Sequence, residues 1–156
     1  MATRELTSDE RRAWVALTGL LIKLPTALDA DMARTSGLTF FEYTVLATLA
    51  EERTGTLRMS ALAERTQGTL SRLSHVVRRL ERQGMVQRVT APEDRRATNA
   101  ILTAEGRRRV ESARPAHTAY VRETVIDGIS RDDLLTLTRV HEGILARLDA
   151  AVPGPA

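Results

Sequence analysis

The sequence of 156 residues predicts a mainly α-helical fold that carries one small β-hairpin. Apolar residues recur at spacings of three and four along most of the chain, which is the period of an amphipathic helix. Helix-start signals precede several of these segments. Two short strand-like stretches, residues 85–89 and 98–102, are joined by a segment in which Pro92 and Asp94 favour a turn.

Composition and charge restrict the class of protein. Hydrophobic residues make up 42% and charged residues 28%, as in globular chains. The charged N-terminus does not resemble a signal peptide, and no uninterrupted apolar run approaches the roughly 18 residues of a membrane span, so we expect a cytoplasmic protein. The absence of cysteine excludes disulfides, thiolate catalysis and Cys-ligated zinc. Residues 65–114 hold twelve arginines and five acids, and such concentrated positive charge is typical of a polyanion binder.

The first predicted helix covers residues 8–33. Ser8 is a suitable N-cap, and the acidic residues that follow it favour the positive end of the helix dipole. Pro25 predicts a bend, and Gly37 predicts the end of the segment. Its apolar stripe consists of Trp14, Leu17, Leu21, Leu24 and Leu28.

The second helix has the most complete start signal in the chain. Thr39 and Glu42 have the spacing of a capping box, and the helix is expected to end near Glu52. A turn at Thr54–Gly55 follows, and Leu57–Met59 is a candidate short strand.

A short helix, a tight turn and a second helix then predict a helix-turn-helix. Ser60 is expected to cap a helix over residues 61–65, and residues 66–68 connect it to a helix that ends near Gln83 before Gly84. The inner face of the second helix is apolar: Leu70, Leu73, Val76, Val77 and Leu80. Its outer face is polar and basic, as a helix that enters the major groove of DNA requires: Ser71, Arg72, Ser74, His75, Arg78, Arg79 and Arg82.

The hairpin after this helix completes a winged helix-turn-helix lobe, about residues 38–103. We expect Arg95 and Arg96 in the connection between the strands, where a thin projection could enter the minor groove. The predicted helices outside the lobe are residues 8–33 and 104–151. Thr103 and Ser130 are the expected caps of the last two helices, the first of which reaches about Gly128 and contains Pro115. Residues 152–156 are expected to be a flexible tail, because two prolines and a glycine disfavour helix.

Four segments of the chain resemble the MarR (multiple antibiotic resistance regulator) family of winged helix-turn-helix transcriptional regulators. They are Leu62–Arg65, Leu73–Val86, Pro92–Arg96 and Ile101–Gly106. The resemblance covers nearly the whole chain and implies one domain over residues 1–151, which forms a homodimer through the first and the last two helices. It also implies two lobes on a pseudo-palindromic DNA operator, with Asp94 orienting Arg96 in the minor groove. The residues expected to face bases and phosphates are Gln67, Thr69, Ser71, Arg72, Ser74 and His75.

Many members of that family release DNA when a small aromatic or phenolic anion binds between the dimer helices and the DNA-binding lobe. The resemblance therefore implies a repressor with a small-molecule effector, and the candidate ligand-binding residues are Trp14, Tyr43 and His117. The branch of the family that senses oxidants through cysteine does not apply to this chain.

Several residues have a structural as well as a functional interpretation. Arg95 and Arg96 could be a solvated turn, and Arg78 and Arg79 could pair with Glu81 or Asp94 instead of contacting phosphates. Arg107–Arg109 favours a solvated helix face. Trp14, Tyr43 and His117 could be ordinary packing residues of the core or of a dimer interface.

The sequence contains no pattern that indicates an enzyme. The three histidines lack metal-ligand spacing, and there is no nucleophile–base set or phosphate-binding loop, so we expect no cofactor and no metal. Two functions remain open: a dimeric, ligand-responsive DNA-binding regulator, and a winged helix that contacts proteins without binding DNA.

Overall fold

A computed structural model describes residues 4–92 and 94–151, and in these residues six α-helices accompany a three-stranded antiparallel sheet. The chain divides after His117 into two compact units. The elements in order are α1 (Ser8–Ser36), α2 (Phe40–Glu51), β1 (Thr56–Arg58), α3 (Met59–Arg65), α4 (Leu70–Arg82), β2 (Val86–Ala91), β3 (Asp94–Leu102), α5 (Ala104–Val121), a π-helical turn (Arg122–Ile126) and α6 (Arg131–Ala151). The predicted tail at 152–156 and Glu93 of the expected turn lie outside the described residues.

Capping groups set the limits of the first two helices. The hydroxyl of Thr7 accepts a hydrogen bond from the Glu10 N–H, and the Glu10 carboxylate accepts one from the Thr7 N–H. The cap is therefore Thr7 and not Ser8, because only Thr7 has a glutamate three residues further on. Gly37 ends α1 with a φ of 68°, as expected. The predicted capping box of Thr39 and Glu42 is confirmed.

Two predicted features of the helix-turn-helix are wrong. Helix α3 begins at Met59 without a side-chain cap, so Ser60 lies inside it. Leu70 was assigned to the inner face of α4 but is 48% exposed, whereas Leu73 is fully buried. The helical period was correct, but the first turn of α4 extends beyond the edge of the core. Thr69 caps α4 by accepting a hydrogen bond from the Arg72 N–H.

The sheet has the strand order β1-β3-β2, so the predicted hairpin has a third strand on its outer side. The hairpin strands are longer than predicted, since β2 reaches Ala91 and β3 begins at Asp94. Thr90 pairs with Thr98, but Ala91 pairs with Asp94, so residues 95–97 form a bulge in β3. Arg95 and Arg96 therefore lie in a strand bulge and not in the connecting turn. Such bulges redirect side chains at sheet ends.

Buried aliphatic side chains of α2, α3 and α4 form the main core, together with residues of the hairpin and α5. The start of α5 is fixed against the beginning of the hairpin. The Thr103 hydroxyl donates to the Gly84 carbonyl over 2.7 Å. A Cβ at Gly106 would lie 2.2 Å from the Met85 carbonyl oxygen, so this position requires glycine.

The C-terminal helices differ from the prediction in one boundary. The α-helical part of α5 ends at Val121 rather than near Gly128, and the π-helical turn continues it to Ile126. Pro25 and Pro115 both lie inside helices. Ser130 caps α6, as predicted, by accepting a hydrogen bond from the Asp133 N–H.

Helix α1 is the one helix of the described residues that is long and apolar enough, by length and composition, to cross a membrane. This helix of 29 residues contains a window with mean hydropathy 1.3, which is long and apolar enough by composition. Small uncharged residues between the leucines of α1 allow this high mean hydropathy although the helix contains no long uninterrupted apolar run. A single such helix near the N-terminus is weak evidence for a membrane span, because other apolar helices meet the same test.

Candidate nucleic-acid interface

The front of α4 presents most of the residues that the sequence assigned to DNA. Helix α4 is amphipathic, with Leu73, Val77 and Leu80 fully buried on one side. The opposite side and the preceding turn are solvent-exposed and comprise Gln67, Thr69, Ser71, Arg72, His75 and Arg78. Ser74 is half-buried, and its hydroxyl donates to the Leu70 carbonyl over 2.8 Å. The predicted residues Ser71, Arg72, Ser74, His75 and Arg78 thus share one face of α4, and Gln67 and Thr69 directly precede the helix.

Arg72 has a partner that the sequence did not reveal. Its guanidinium carbon lies 4.2 Å from the ring centroid of Phe41, which is the arrangement of a cation–π contact. Phe41 belongs to α2, about thirty positions earlier in the chain, so no local pattern indicated the contact. The guanidinium therefore rests against a buried ring at the front of α4.

Arg79 forms an ion pair with another residue of the same chain. Its Nε lies 3.0 Å from Oε1 of Glu42, and the Glu42 side chain is only 2% exposed. The sequence offered Glu81 or Asp94 as an intramolecular partner of this arginine, and both are wrong. Glu81 pairs with Arg88, and Oδ2 of Asp94 lies 3.5 Å from a guanidinium nitrogen of Arg58. The hydrogen bond from the backbone N–H of Arg88 lowers the pKa of the Glu81 carboxyl.

The wing, defined as β2, β3 and the turn between them, carries Arg95 and Arg96 as exposed side chains. Asp94 Oδ1 accepts a hydrogen bond from the backbone N–H of Arg96 over 3.0 Å. Asp94 therefore holds the bulge backbone at Arg96, and its described guanidinium partner is Arg58. Among the residues described, neither Arg95 nor Arg96 forms an ion pair.

A groove of about 350 Å³ separates the front of α4 from the wing. Sequence patterns did not identify several of the residues that line this groove. These residues belong to β1, α3 and β2 and form no local motif. Its lining residues are Arg58, Met59, Ser60, Leu70, Ser74, Arg88, Arg96, Ala97 and Thr98. Arg58 could have been found only from the antiparallel pairing that sets it opposite Asn99 on β3.

Other arginines of the basic segment have structural contacts. Arg65 pairs with Glu52 and Arg108 with Glu105. Arg109 donates to the carbonyl oxygen of Ser36 at the end of α1, so the expected solvated face of Arg107–Arg109 is wrong for this residue. Exposed arginines that form no ion pair with a described residue include Arg78 on α4 and Arg95 and Arg96 on the wing.

Two of the three candidate ligand-binding residues are brought together. The rings of Tyr43 and His117 lie 4.5 Å apart, and Phe40 lies 5.8 Å from His117. Burial lowers the pKa of His117, partly offset by Asp31, and burial raises the pKa of the Tyr43 hydroxyl. Trp14 is 55% exposed on α1 and does not belong to this partly buried aromatic cluster.

Two buried polar atoms lie near this cluster without hydrogen-bond partners among the described residues. They are Nδ1 of His117 and Oδ2 of Asp31. A buried polar atom without a partner costs free energy, so such atoms favour a site that takes water or a polar ligand. Across residues 4–92 and 94–151, no group of three His, Asp or Glu side chains has the arrangement of a metal site.

Known proteins share this architecture. A family model described as MarR family matches residues 36–97. The structure of AbsC, a MarR family transcriptional regulator from Streptomyces coelicolor, has a TM-score of 0.88 and 34% identity, covering 95% of this chain and 99% of AbsC. Sco3205 from the same organism, a MarR family regulator solved in complex with DNA, has a TM-score of 0.89 and 34% identity, with coverages of 99% and 95%. The Escherichia coli HTH-type transcriptional regulator PrsX is 28% identical over 113 residues, 72% of this chain and 68% of PrsX.

Proposed function

Since the chain belongs to the MarR family of transcriptional regulators, we propose that it binds a pseudo-palindromic DNA operator as a homodimer and represses transcription in the cytoplasm. Residues 1–151 act as one MarR-type domain in this proposal. The observation that carries it is the arrangement of exposed arginines on α4 and on the wing, with the groove between them. The DNA complex of the similar regulator Sco3205 supports it.

The groove fits the path of a DNA strand between these two projections. When the front of α4 enters the major groove and the wing reaches the adjacent minor groove, the sugar-phosphate backbone that separates the two grooves passes between them. Arg58, Arg88 and Arg96 line this path. Phosphate contacts there position the protein, and Arg72 and its neighbours on α4 read base edges.

Exposed apolar side chains support the homodimer. On α1, Val15, Leu21 and Ile22 are 61%, 62% and 71% exposed. On α6, Leu135 and Leu148 are 58% and 55% exposed, and no residue of this helix is buried. Exposed apolar side chains that recur along each helix are typical of a protein interface, and a two-fold axis would bring elements of a second copy against each of the two helices.

The aromatic cluster supports a small-molecule effector. The ring centroids of Tyr43 and His117 lie 4.5 Å apart, and the unpartnered Nδ1 of His117 offers a polar contact. A small aromatic or phenolic acid bound there would displace α2, which contacts α4 through Phe41 and Glu42. Release of DNA would follow from the changed position of α4.

A gel-shift assay tests DNA binding directly. The DNA upstream of the protein's own gene is compared with an unrelated duplex of equal length, at one salt concentration. We expect a shift of the upstream DNA at a protein concentration at least about a thousandfold lower. Absence of a shift with either duplex would favour the alternative, a winged helix that contacts proteins without binding DNA. Equal shifts with both duplexes would contradict sequence-specific binding.

A further inference from the structure

The ring of Phe41 lies between the turn of the helix-turn-helix and the side chain expected to read a base. Its centroid is 4.2 Å from the guanidinium carbon of Arg72. On the side of the turn, a Cβ built at Gly68 would lie 2.7 Å from Cζ of the ring. Gly68 therefore has to be glycine for the ring to occupy this place.

The ring is held in a fixed position by the first turn of α2. Phe41 is 9% exposed and belongs to the main core. Its neighbour Phe40 donates its N–H to Oδ1 of Asp29 over 2.7 Å, and Glu42 completes the capping box and pairs with Arg79. Since both neighbouring residues are tied to other helices, the ring can move little without breaking these contacts.

We propose that Phe41 is a positioning residue that holds the Arg72 guanidinium for sequence readout, and this inference rests on the proposed function. A guanidinium reads guanine through two parallel hydrogen bonds to O6 and N7, which requires a fixed direction of approach. A long arginine side chain loses rotamer freedom when it makes such a contact. A ring that already holds the guanidinium reduces that loss, and the cation–π attraction leaves the N–H groups at the edge of the guanidinium free to donate.

The proposal makes Phe41 a determinant of specificity rather than of affinity in general. Arg72 reads one base pair in each half-site, so Phe41 should influence one symmetric pair of operator positions. Phosphate contacts from the wing and the groove do not depend on this ring. Removal of the ring should therefore leave the salt dependence of binding unchanged, since that dependence counts phosphate contacts.

A double-mutant cycle on the full chain tests this inference. The probe is a duplex that the wild-type protein selects from a random double-stranded pool, together with all its single-base-pair variants. We expect F41L to reduce discrimination between base pairs about three- to tenfold at one symmetric pair of operator positions. R72A should abolish the discrimination at the same two positions. The double variant should match R72A alone, because Phe41 acts through Arg72.

Val45→Ala is the matched control for loss of core volume, since Val45 is a fully buried residue of the same helix. It should lower stability without changing the ratio of affinities between operator variants. Two results would overturn the inference. One is a loss of discrimination in F41L/R72A that equals the product of the losses in the two single variants. The other is a uniform loss of affinity for all duplexes, as in a destabilised protein. If R72A left every position unchanged while the wild type remained selective, the inference would fail and the proposed function would stand. A wild type that selects no sequence would refute both.

Discussion

At the scale of single residues, the arginines of the interface have different environments and should have different roles. Arg96 is exposed on a strand bulge, and only its backbone N–H is held, by Asp94. Arg72 rests on Phe41. Arg79 is paired with a buried carboxylate. Chemically identical side chains are therefore expected to contribute to minor-groove contact, base readout and internal stability.

Arg96→Ala should weaken operator binding by about 1–3 kcal/mol per site and leave the fold intact, because the side chain is exposed. It should also reduce the log–log salt slope by about 0.9 for each phosphate-neutralising charge removed. Binding isotherms at several salt concentrations measure both effects.

Arg108→Ala is the control, since it removes the same charge from an exposed position on α5. Asp94→Ala should reproduce part of the Arg96→Ala effect by releasing the backbone of the bulge. Equal affinity of Arg96→Ala and the wild type would show that the wing does not contact the minor groove.

His117 should make stability depend on pH. Burial lowers its pKa from the usual 6.5, so the unfolded chain binds a proton at a pH where the folded chain does not. Stability should therefore fall as the pH decreases from 6.5 toward the folded-state pKa, and this contribution should be absent above 6.5. Asp31, whose charge favours the protonated form, limits the effect without reversing it.

Chemical unfolding of the wild type and of His117→Gln, at about pH 7.5 and about pH 5.5, measures this contribution. The exposed His75 and His141 are common to both proteins, so the difference isolates His117. The wild type should lose more stability between the two values of pH. An equal loss in both proteins would contradict the assignment of a depressed pKa.

At the scale of helices and strands, α2 and α4 are joined by the contact between Glu42 and Arg79. Arg79→Ala leaves the Glu42 carboxylate buried without its cation and should lower the free energy of unfolding by about 1–3 kcal/mol. The value is below that of a fully buried pair because the Arg79 side chain is 51% exposed and water can partly replace it.

Arg78→Ala provides the comparison for this element contact, since Arg78 is exposed on the same turn of α4. It should change the free energy of unfolding by no more than about 0.5 kcal/mol. Thermal or urea unfolding measures both variants. If they were equally stable, the pairing with Glu42 would contribute nothing.

The elements that sequence predicts well are those with local causes. The capping box of Thr39 and Glu42 depends on residues three apart, and the apolar face of α4 depends on the helical period. The wing was predicted from its turn residues, but its bulge was not, because a bulge depends on the register between strands.

Contacts between elements could not be predicted in the same way. The partners of Arg72, Arg79 and Arg109 are respectively Phe41, Glu42 and Ser36, each more than thirty positions away in the chain. Many arginines and acids could pair, and only the packing of the helices selects among them. The candidate DNA-binding face was therefore predictable, whereas the residues that support it were not.

At the scale of the whole molecule, the exposed apolar residues of α1 and α6 predict a dimer. Light scattering at micromolar concentration should give twice the chain mass of 17.2 kDa. Ile22→Asp should shift the protein toward the monomer, because it places a charge on a side chain that is 71% exposed in one copy. Unchanged helicity by circular dichroism would exclude unfolding as the cause. A wild-type protein that stayed monomeric would refute this assembly.

The most direct test of the account is a footprint of the protein on DNA selected from a random pool. Two copies of α4 related by a two-fold axis should protect an inverted repeat whose half-sites are centred about 10 bp apart, because both helices must meet the same face of the duplex. In this arrangement Arg72→Ala should relax preference at one symmetric pair of positions within the protected site. A protected site without dyad symmetry, or half-sites separated by a half-integral number of helical turns, would contradict the account.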